Sequence, residues 1–361
     1  MKPACTSSAV EKELSHIFGK IIRTAEGYHP SFGTALKLAA LSAQGGKLLR
    51  PTLLIDLYSA LSGTTASTIP GGQKDIWPQV VDIAAAIELL HFAFLIHDDV
   101  IDGDVIRRGR PNLISLFLGH DEVTVQHAER KEWASSSAIL IGDLLLTEVH
   151  QIFARLNLPH HKRLALLDLL EHSITESIIG EFLDVGLSKK VISPLPSTVK
   201  EMSQLKTATY TFELPMCSAA ILAGYSTEKG AQFADLAADL GLLFQLQDDF
   251  FSTFGDPKEH GKDELSDFRE GKETLIVAFA RNTASWPHIE PHFGNQYTNS
   301  EDVKELKELL SECGAEKFLK NTIAETSRAC RDQILKIAAF TPAEVPVLLN
   351  ALVDSLEGRR T

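Results

Sequence analysis

The sequence predicts an all-α protein, one bundle of helices around a central cavity, and three observations point that way. Nearly every segment between the Gly and Pro residues that punctuate the chain carries apolar residues at i, i+3, i+4 and i+7, the spacing of one helix face. Strand-type alternation is scarce. No linker divides the 361 residues and no fixed repeat organises them, so one domain over 1–361 is the economical arrangement. Cavities between packed helices are a common place for ligands.

Taken in order, the periodicity predicts helices over 8–25, 30–43, 47–62, 76–103, 122–156, 160–187, 198–209, 211–224, 228–254, 273–281, 301–311, 314–338 and 342–355. Gly45-Gly46 before Lys47, with Pro51 after Arg50, mark a loop entering the third helix. Ser, Thr, Gly and Pro cluster in 63–74, which reads as a loop, as do 189–197 and the polar stretch 256–271. The last carries Lys262, Asp263, Asp267 and Arg269 just before Lys272, and suits a mobile lid.

Composition narrows the partners. Hydrophobic residues make up 44% and charged ones 23%, an ordinary globular balance. The net charge of −13 argues against a nucleic-acid surface, which needs an excess of Lys and Arg. Any anion must therefore meet a local basic patch. Cys5, Cys217, Cys313 and Cys330 lie far apart, without zinc or redox spacing, and predict a reducing cytoplasm. The first twenty residues lack the apolar core of a signal peptide. Apolar stretches such as Ala138 to Leu146, interrupted by Asp143, fall short of the roughly 20 residues that span a bilayer, so no membrane span is expected.

The chemistry-bearing feature is His97-Asp98-Asp99-Val100-Ile101-Asp102, followed by Arg107-Arg108-Gly109-Arg110-Pro111 and answered downstream by Gln247-Asp248-Asp249. Asp98 and Asp102 are one turn apart on one helix face, where two carboxylates can share hard cations such as Mg²⁺. His91, Phe94, Leu95, Asp98 and Asp102 form one stripe that suits neither plain core nor a fully solvated face. A lone Asp-Asp-x-x-Asp also fits a solvated acidic helix end, but the second pair favours Mg²⁺ held against a diphosphate. Four basic stations accompany the acids: Lys47 with Arg50, Arg107 with Arg108, Lys206, and Lys262 with Lys272.

Gly45-Gly46-Lys47-Leu48-Leu49-Arg50-Pro51, His91, Asp98-Asp99-Val100-Ile101-Asp102 with Arg107-Arg108-Gly109, Gly180-Glu181-Phe182-Leu183-Asp184, Lys206-Thr207-Ala208, Phe244-Gln245-Leu246-Gln247-Asp248-Asp249, Gly261-Lys262 and Gly271-Lys272 together resemble the trans-isoprenyl diphosphate synthases, in order from 45 to 275. The remaining 276–361 read as a helical tail without nameable chemistry. The resemblance implies an isoprenoid-synthase helical bundle and a head-to-tail prenyl transfer, in which an allylic diphosphate ionises and isopentenyl diphosphate attacks the cation. It makes Asp98, Asp102 and Asp248 the ligands of Mg²⁺, three ions per site, supported by Asp99, Asp184 and Asp249. It puts Arg107, Lys206, Thr207, Gln245, Lys262 and Lys272 on the allylic diphosphate, and Lys47, Arg50, His91 and Arg108 on isopentenyl diphosphate. It also implies a homodimer through the long helices.

Two positions depart from the family pattern. Ser252 stands where a third downstream carboxylate belongs, with Asp256 one turn further on, and Leu48 stands where a basic residue is usual. The residues five and four before Asp98, Ala93 and Phe94, help set product length by the same resemblance. Small Ala93 with bulky Phe94 favours C20 geranylgeranyl diphosphate over C15 farnesyl diphosphate, while Phe94 also reads as a plain core aromatic. The rival readings are a class I terpene cyclase, which needs no second diphosphate site, and a non-catalytic partner subunit.

Overall fold

The computed structural model describes residues 3–63, 76–107, 109–119, 127–255, 265–295 and 300–358. The chain forms two compact units, one of residues 1–56 and 64–168, the other of 57–63 and 169–361. Both are built of helices, and the one sheet among the described residues is a two-stranded hairpin.

The first unit holds α1 (Pro3–Tyr28), α2 (Pro30–Ser42), the start of α3 (Leu49–Ser62), α4 (Trp77–Asp102), β1 (Ile106–Arg107), β2 (Arg110–Pro111), α5 (Leu113–Leu118), α6 (His127–Ala154) and the start of α7 (His160–Ser188). Local chemistry sets several boundaries. Pro30 opens α2, where its missing N–H costs nothing, and the His29 ring caps it by accepting from the Ser31 N–H at 3.2 Å. Gly103, at φ +75, stops α4 directly after Asp102.

α4 is the axis of this unit. Ile83 through Ile87, Leu89, Leu90 and Ala93 are all fully buried, as expected of a helix that is apolar all round. α6 lies along it with Ala134, Ala138, Ile141, Leu145 and Val149, a fully buried stripe at helical spacing. Each large side chain so buried contributes about 1.5–3 kcal/mol. α4 and α6 are each long and apolar enough to cross a membrane by composition, more so than the nine-residue stretch read from the sequence. The apolar part of α4 is mostly buried, which accounts for its composition; that of α6 is one-third buried.

The second unit contains the rest of α7, α8 (Pro196–Ser203), a π-helix (Gln204–Glu213), α9 (Leu214–Ala223), α10 (Thr227–Phe254), α11 (Ser266–Arg269), α12 (Leu275–Ala280), α13 (Trp286–Ile289), α14 (Ser300–Glu312), α15 (Ala315–Ala338) and α16 (Glu344–Glu357). α10 is its axis, with Phe233, Leu236, Ala237, Leu240 and Leu243 fully buried. α15 packs along it, and α16 adds Val345, Leu349 and Val353. The residues read as a tail are therefore part of this core.

Several elements differ from the sequence reading. The break predicted at residue 210 is a continuous run through the π-helix. Pro215 has no N–H to donate, and its ring would clash with the carbonyl four residues back in an α-helix; the wider turn, with the Leu214 N–H donating to the Thr209 carbonyl, removes that conflict. The loop read over 256–271 contains the helical turn α11, and its residues 256–264 lie outside the described residues, as do 64–74 of the first loop. The hairpin and the short helices α5, α11 and α13 are too short to show a period.

Asp82 on α4 is a charge half-buried in the first unit. Burial is the main cause that pushes its carboxyl up to about 6; Glu13 on α1 adds to the rise and His16 opposes it. The folded state then holds the proton more tightly than the unfolded chain, so the stabilisation from neutral Asp82 is complete at low pH and lost as pH rises from 3.8 through about 6. Asp82→Asn is expected to raise the melting temperature by about 1–3 °C above pH 6, with the gain vanishing below pH 4; thermal melts across pH check this.

Candidate functional site

In the first unit the candidate groups cluster at the C-terminal end of α4. Asp98 is partly exposed, Asp102 exposed and Asp99 buried. Arg107, on β1, spans two consecutive carboxylates: its Nη2 donates to Asp98 Oδ2 at 2.8 Å and its Nε to Asp99 Oδ1 at 2.6 Å. Burial is the main cause that pushes the Asp99 carboxyl up to about 6, with Asp98 and Asp104 adding to it and Arg107 pulling it back. For Arg107, burial favours loss of the proton, but Asp99 and Asp98 outweigh it and hold the guanidinium above its ordinary range.

The hairpin is tied to the end of α4. The Asp104 N–H donates to the Asp99 carbonyl, and buried Asn112 fixes the base by donating from Nδ2 to the Asp104 carbonyl at 2.7 Å and from its backbone N–H to Val105. Asn112 also caps α5 by accepting from the Ser115 N–H. A cavity of about 460 Å³ opens beside these groups, lined by Gln44, Gly45, Glu88, His91, Arg107 and Arg110 among others. Lys47 and Arg50 flank the loop that follows Gly45, with Lys47 exposed, Arg50 buried and neither on the cavity wall. Leu48 between them is buried with φ at +49, a left-handed bend that turns its side chain inward. Ala93 is fully buried, Phe94 half-buried, and Phe92 and Leu95 line the cavity in their place. Arg108 lies outside the described residues.

In the second unit the groups stand on α7, the π-helix and α10. Lys206 Nζ lies 2.5 Å from Asp184 Oδ2 and 2.8 Å from Glu181 Oε2. Thr207 donates to Gln245 Oε1 at 3.3 Å, and Gln245 Nε2 donates to Asp249 Oδ1 at 2.8 Å. Asp249 is buried, and Asp248 beside it is partly exposed. Ser252 is also buried and donates to the Asp249 carbonyl of its own helix, so this position faces the interior. Lys272 pairs with Glu270 at 3.1 Å, while Lys262 and Asp256 lie outside the described residues.

Glu181 as a partner of Lys206 was not singled out by the sequence reading, although its spacing of three from Asp184 puts both on one face of α7. The pairing continues along the same two helices. Thr209 donates to Glu176 at 2.8 Å, and His172 Nε2 stands 3.5 Å from a carboxylate oxygen of both Glu176 and Glu213. Burial pushes the Glu213 carboxyl up, opposed by His172.

Two glycines permit the approach that places Lys206. A Cβ on Gly180 of α7 would stand 2.2 Å from the Lys206 backbone nitrogen, and one on Gly241 of α10 would stand 2.1 Å from the Ala208 Cβ. Both contacts are against the π-helix, so it cannot keep its place beside a larger residue. Gly180→Ala is expected to cost about 1–3 kcal/mol of stability and to lower turnover by displacing Lys206; chemical denaturation and steady-state assays measure the two effects.

Residues 35–310 match the family model for polyprenyl synthetases. The short chain isoprenyl diphosphate synthase of Methanocaldococcus jannaschii is 31% identical over 269 residues, 74% of this chain and 72% of its own. The geranylgeranyl diphosphate synthase of Methanosarcina mazei is 30% identical over 279 residues, 77% of this chain and 75% of its own. Among solved structures, the geranylgeranyl pyrophosphate synthase of Corynebacterium glutamicum, crystallised with isoprenyl diphosphate and magnesium, superposes with a TM-score of 0.86 at 26% identity and full coverage of both chains. With its helical architecture and a family match across most of its length, the chain belongs to the polyprenyl synthetase family and is a trans-prenyltransferase.

Proposed function

We propose that the protein condenses isopentenyl diphosphate head-to-tail with dimethylallyl, geranyl and farnesyl diphosphates and releases geranylgeranyl diphosphate. The observation that carries this reading is a cation set among carboxylates in each unit: Arg107 spanning Asp98 and Asp99, and Lys206 held by Asp184 and Glu181. An acidic protein needs such local cations to receive an anionic substrate.

The donor set fits magnesium. Asp98, Asp102 and Asp248 offer hard carboxylate oxygens on side chains that solvent reaches, whereas Asp99 and Asp249 are buried and held by Arg107 and Gln245. We assign Asp98, Asp102 and Asp248 as ligands of three Mg²⁺ ions, with Asp99, Asp184 and Asp249 orienting their neighbours. Bound Mg²⁺ neutralises charge that builds on the leaving diphosphate.

The side chains do the rest. Arg107, Lys206, Thr207, Gln245, Lys262 and Lys272 hold the allylic diphosphate, and their cations stabilise it more as its C–O bond breaks than before. Lys47, Arg50, His91 and Arg108 hold isopentenyl diphosphate so that its double bond faces the allylic carbon, forming the new C–C bond. A proton then leaves C2 of the adduct to the departed diphosphate, restoring a double bond. Support for a C20 product comes from the geranylgeranyl diphosphate synthase among the relatives and from the family pattern, in which small Ala93 leaves depth for a lengthening chain and bulky Phe94 closes it.

We also propose a cytoplasmic homodimer. Cys217, Cys313 and Cys330 are thiols, and Ile139 and Leu140 on α6 expose apolar surface that a second copy would cover.

Incubation with labelled isopentenyl diphosphate and each allylic primer should give a C20 product only when Mg²⁺ is present, and chelation should abolish it. Asp98→Ala and Asp248→Ala are each expected to lower kcat at least about 100-fold, and unchanged rates would reject the site. Phe94→Ala should lengthen the product beyond C20 on chromatography of the dephosphorylated alcohols; a dominant C15 product from the wild type would reject the C20 assignment.

A further inference from the structure

Arg110 belongs to none of the groups assigned above, yet its position is built. It pairs directly with Arg107 across the hairpin. Residues opposite each other in an antiparallel pair project from the same face, and like charges placed so repel. Arg107 is compensated by Asp98 and Asp99, whereas no described residue gives Arg110 an acceptor or a carboxylate within bonding distance. Asn112 anchors the strand that carries it, so the backbone beneath the guanidinium is fixed while no described residue supplies it a counter-ion.

That guanidinium is turned toward the cavity that His91 also lines. A Cβ on Gly45 would stand 3.7 Å from Arg110 Nη1, so the fork rests against the bare backbone of the loop that leads to Lys47. Gly45 has φ at +88 and is exposed. A planar fork against a glycine backbone, in a cavity that an imidazole also lines, suits the oxygens of a diphosphate, which it can contact through two N–H groups at once.

We infer that Arg110 binds the diphosphate of isopentenyl diphosphate and thereby relieves its own repulsion with Arg107. The inference rests on the proposed condensation for the identity of the ligand. Because the contact persists from the bound substrate through the reaction, losing it changes affinity and leaves the chemical step alone.

Arg110→Gln should raise the KM for isopentenyl diphosphate about tenfold or more, leaving kcat and the KM for the allylic substrate within about twofold. Arg110→Lys should fall between the two. The side chain is exposed and its charge repels Arg107, so the melting temperature should not fall. Titrating isopentenyl diphosphate calorimetrically into wild type and Arg110→Gln, with no allylic partner present, reads the contact without turnover and should show the same loss of affinity. Unchanged affinity in the variant, or a rise confined to the allylic KM, overturns the assignment of Arg110 while leaving the condensation intact. Wild-type protein that neither binds nor consumes isopentenyl diphosphate overturns the condensation itself.

Discussion

Carboxylates crowded onto a helix and drawn partly out of water cannot stay ionised without cations beside them, and both units are arranged around that constraint. Asp99 shows the cost most plainly. Burial alone drives it toward the neutral form, and Arg107 is what pulls it back. The same guanidinium also reaches Asp98, so one side chain ties the hairpin to the helix end and keeps the acidic run compact. Lys206 has the matching place in the second unit, between Asp184 and Glu181. A chain of net charge −13 thereby concentrates cations where an anion has to bind.

Backbone features decide where these cations stand. Gly103 ends α4 one residue after Asp102, which lets the chain turn back and bring Arg107 to the carboxylates it has just passed. Gly180 and Gly241 let the π-helix approach α7 and α10 closely enough for Lys206 to reach its partners. Pro215 explains why that segment is a π-helix, since an ordinary turn would meet its ring. None of these residues carries chemistry, yet replacing any of them moves a group that does. π segments inside longer helices are often found at functional sites, and this one carries both Lys206 and Thr207.

Much of the molecule was legible in the chain. The long helices announce themselves through apolar residues that recur every three or four positions, and α6 buries the stripe that its spacing marks out. The acidic runs and their basic companions were legible for a different reason, since carboxylates interrupting an apolar helix have no economical place in a plain core. Short elements were not legible, because two strand residues or one helical turn contain less than a period. The π-helix escaped too, because its register differs from the one the periodicity tests. Ser252 looked like a missing ligand, and only packing shows that its position faces inward and bonds to its own helix.

By itself the sequence determined which segments are helical, the family, and the residue types available for diphosphate chemistry, all properties carried by local spacing and side-chain identity. Tertiary structure decided which charges neutralise each other and which are left over. Arg107 and Arg110 are two of three arginines in one short run, indistinguishable as letters. Folding gives the first two carboxylates and leaves the second facing a cavity, because the hairpin turns both to the same face while α4 supplies acids to only one of them.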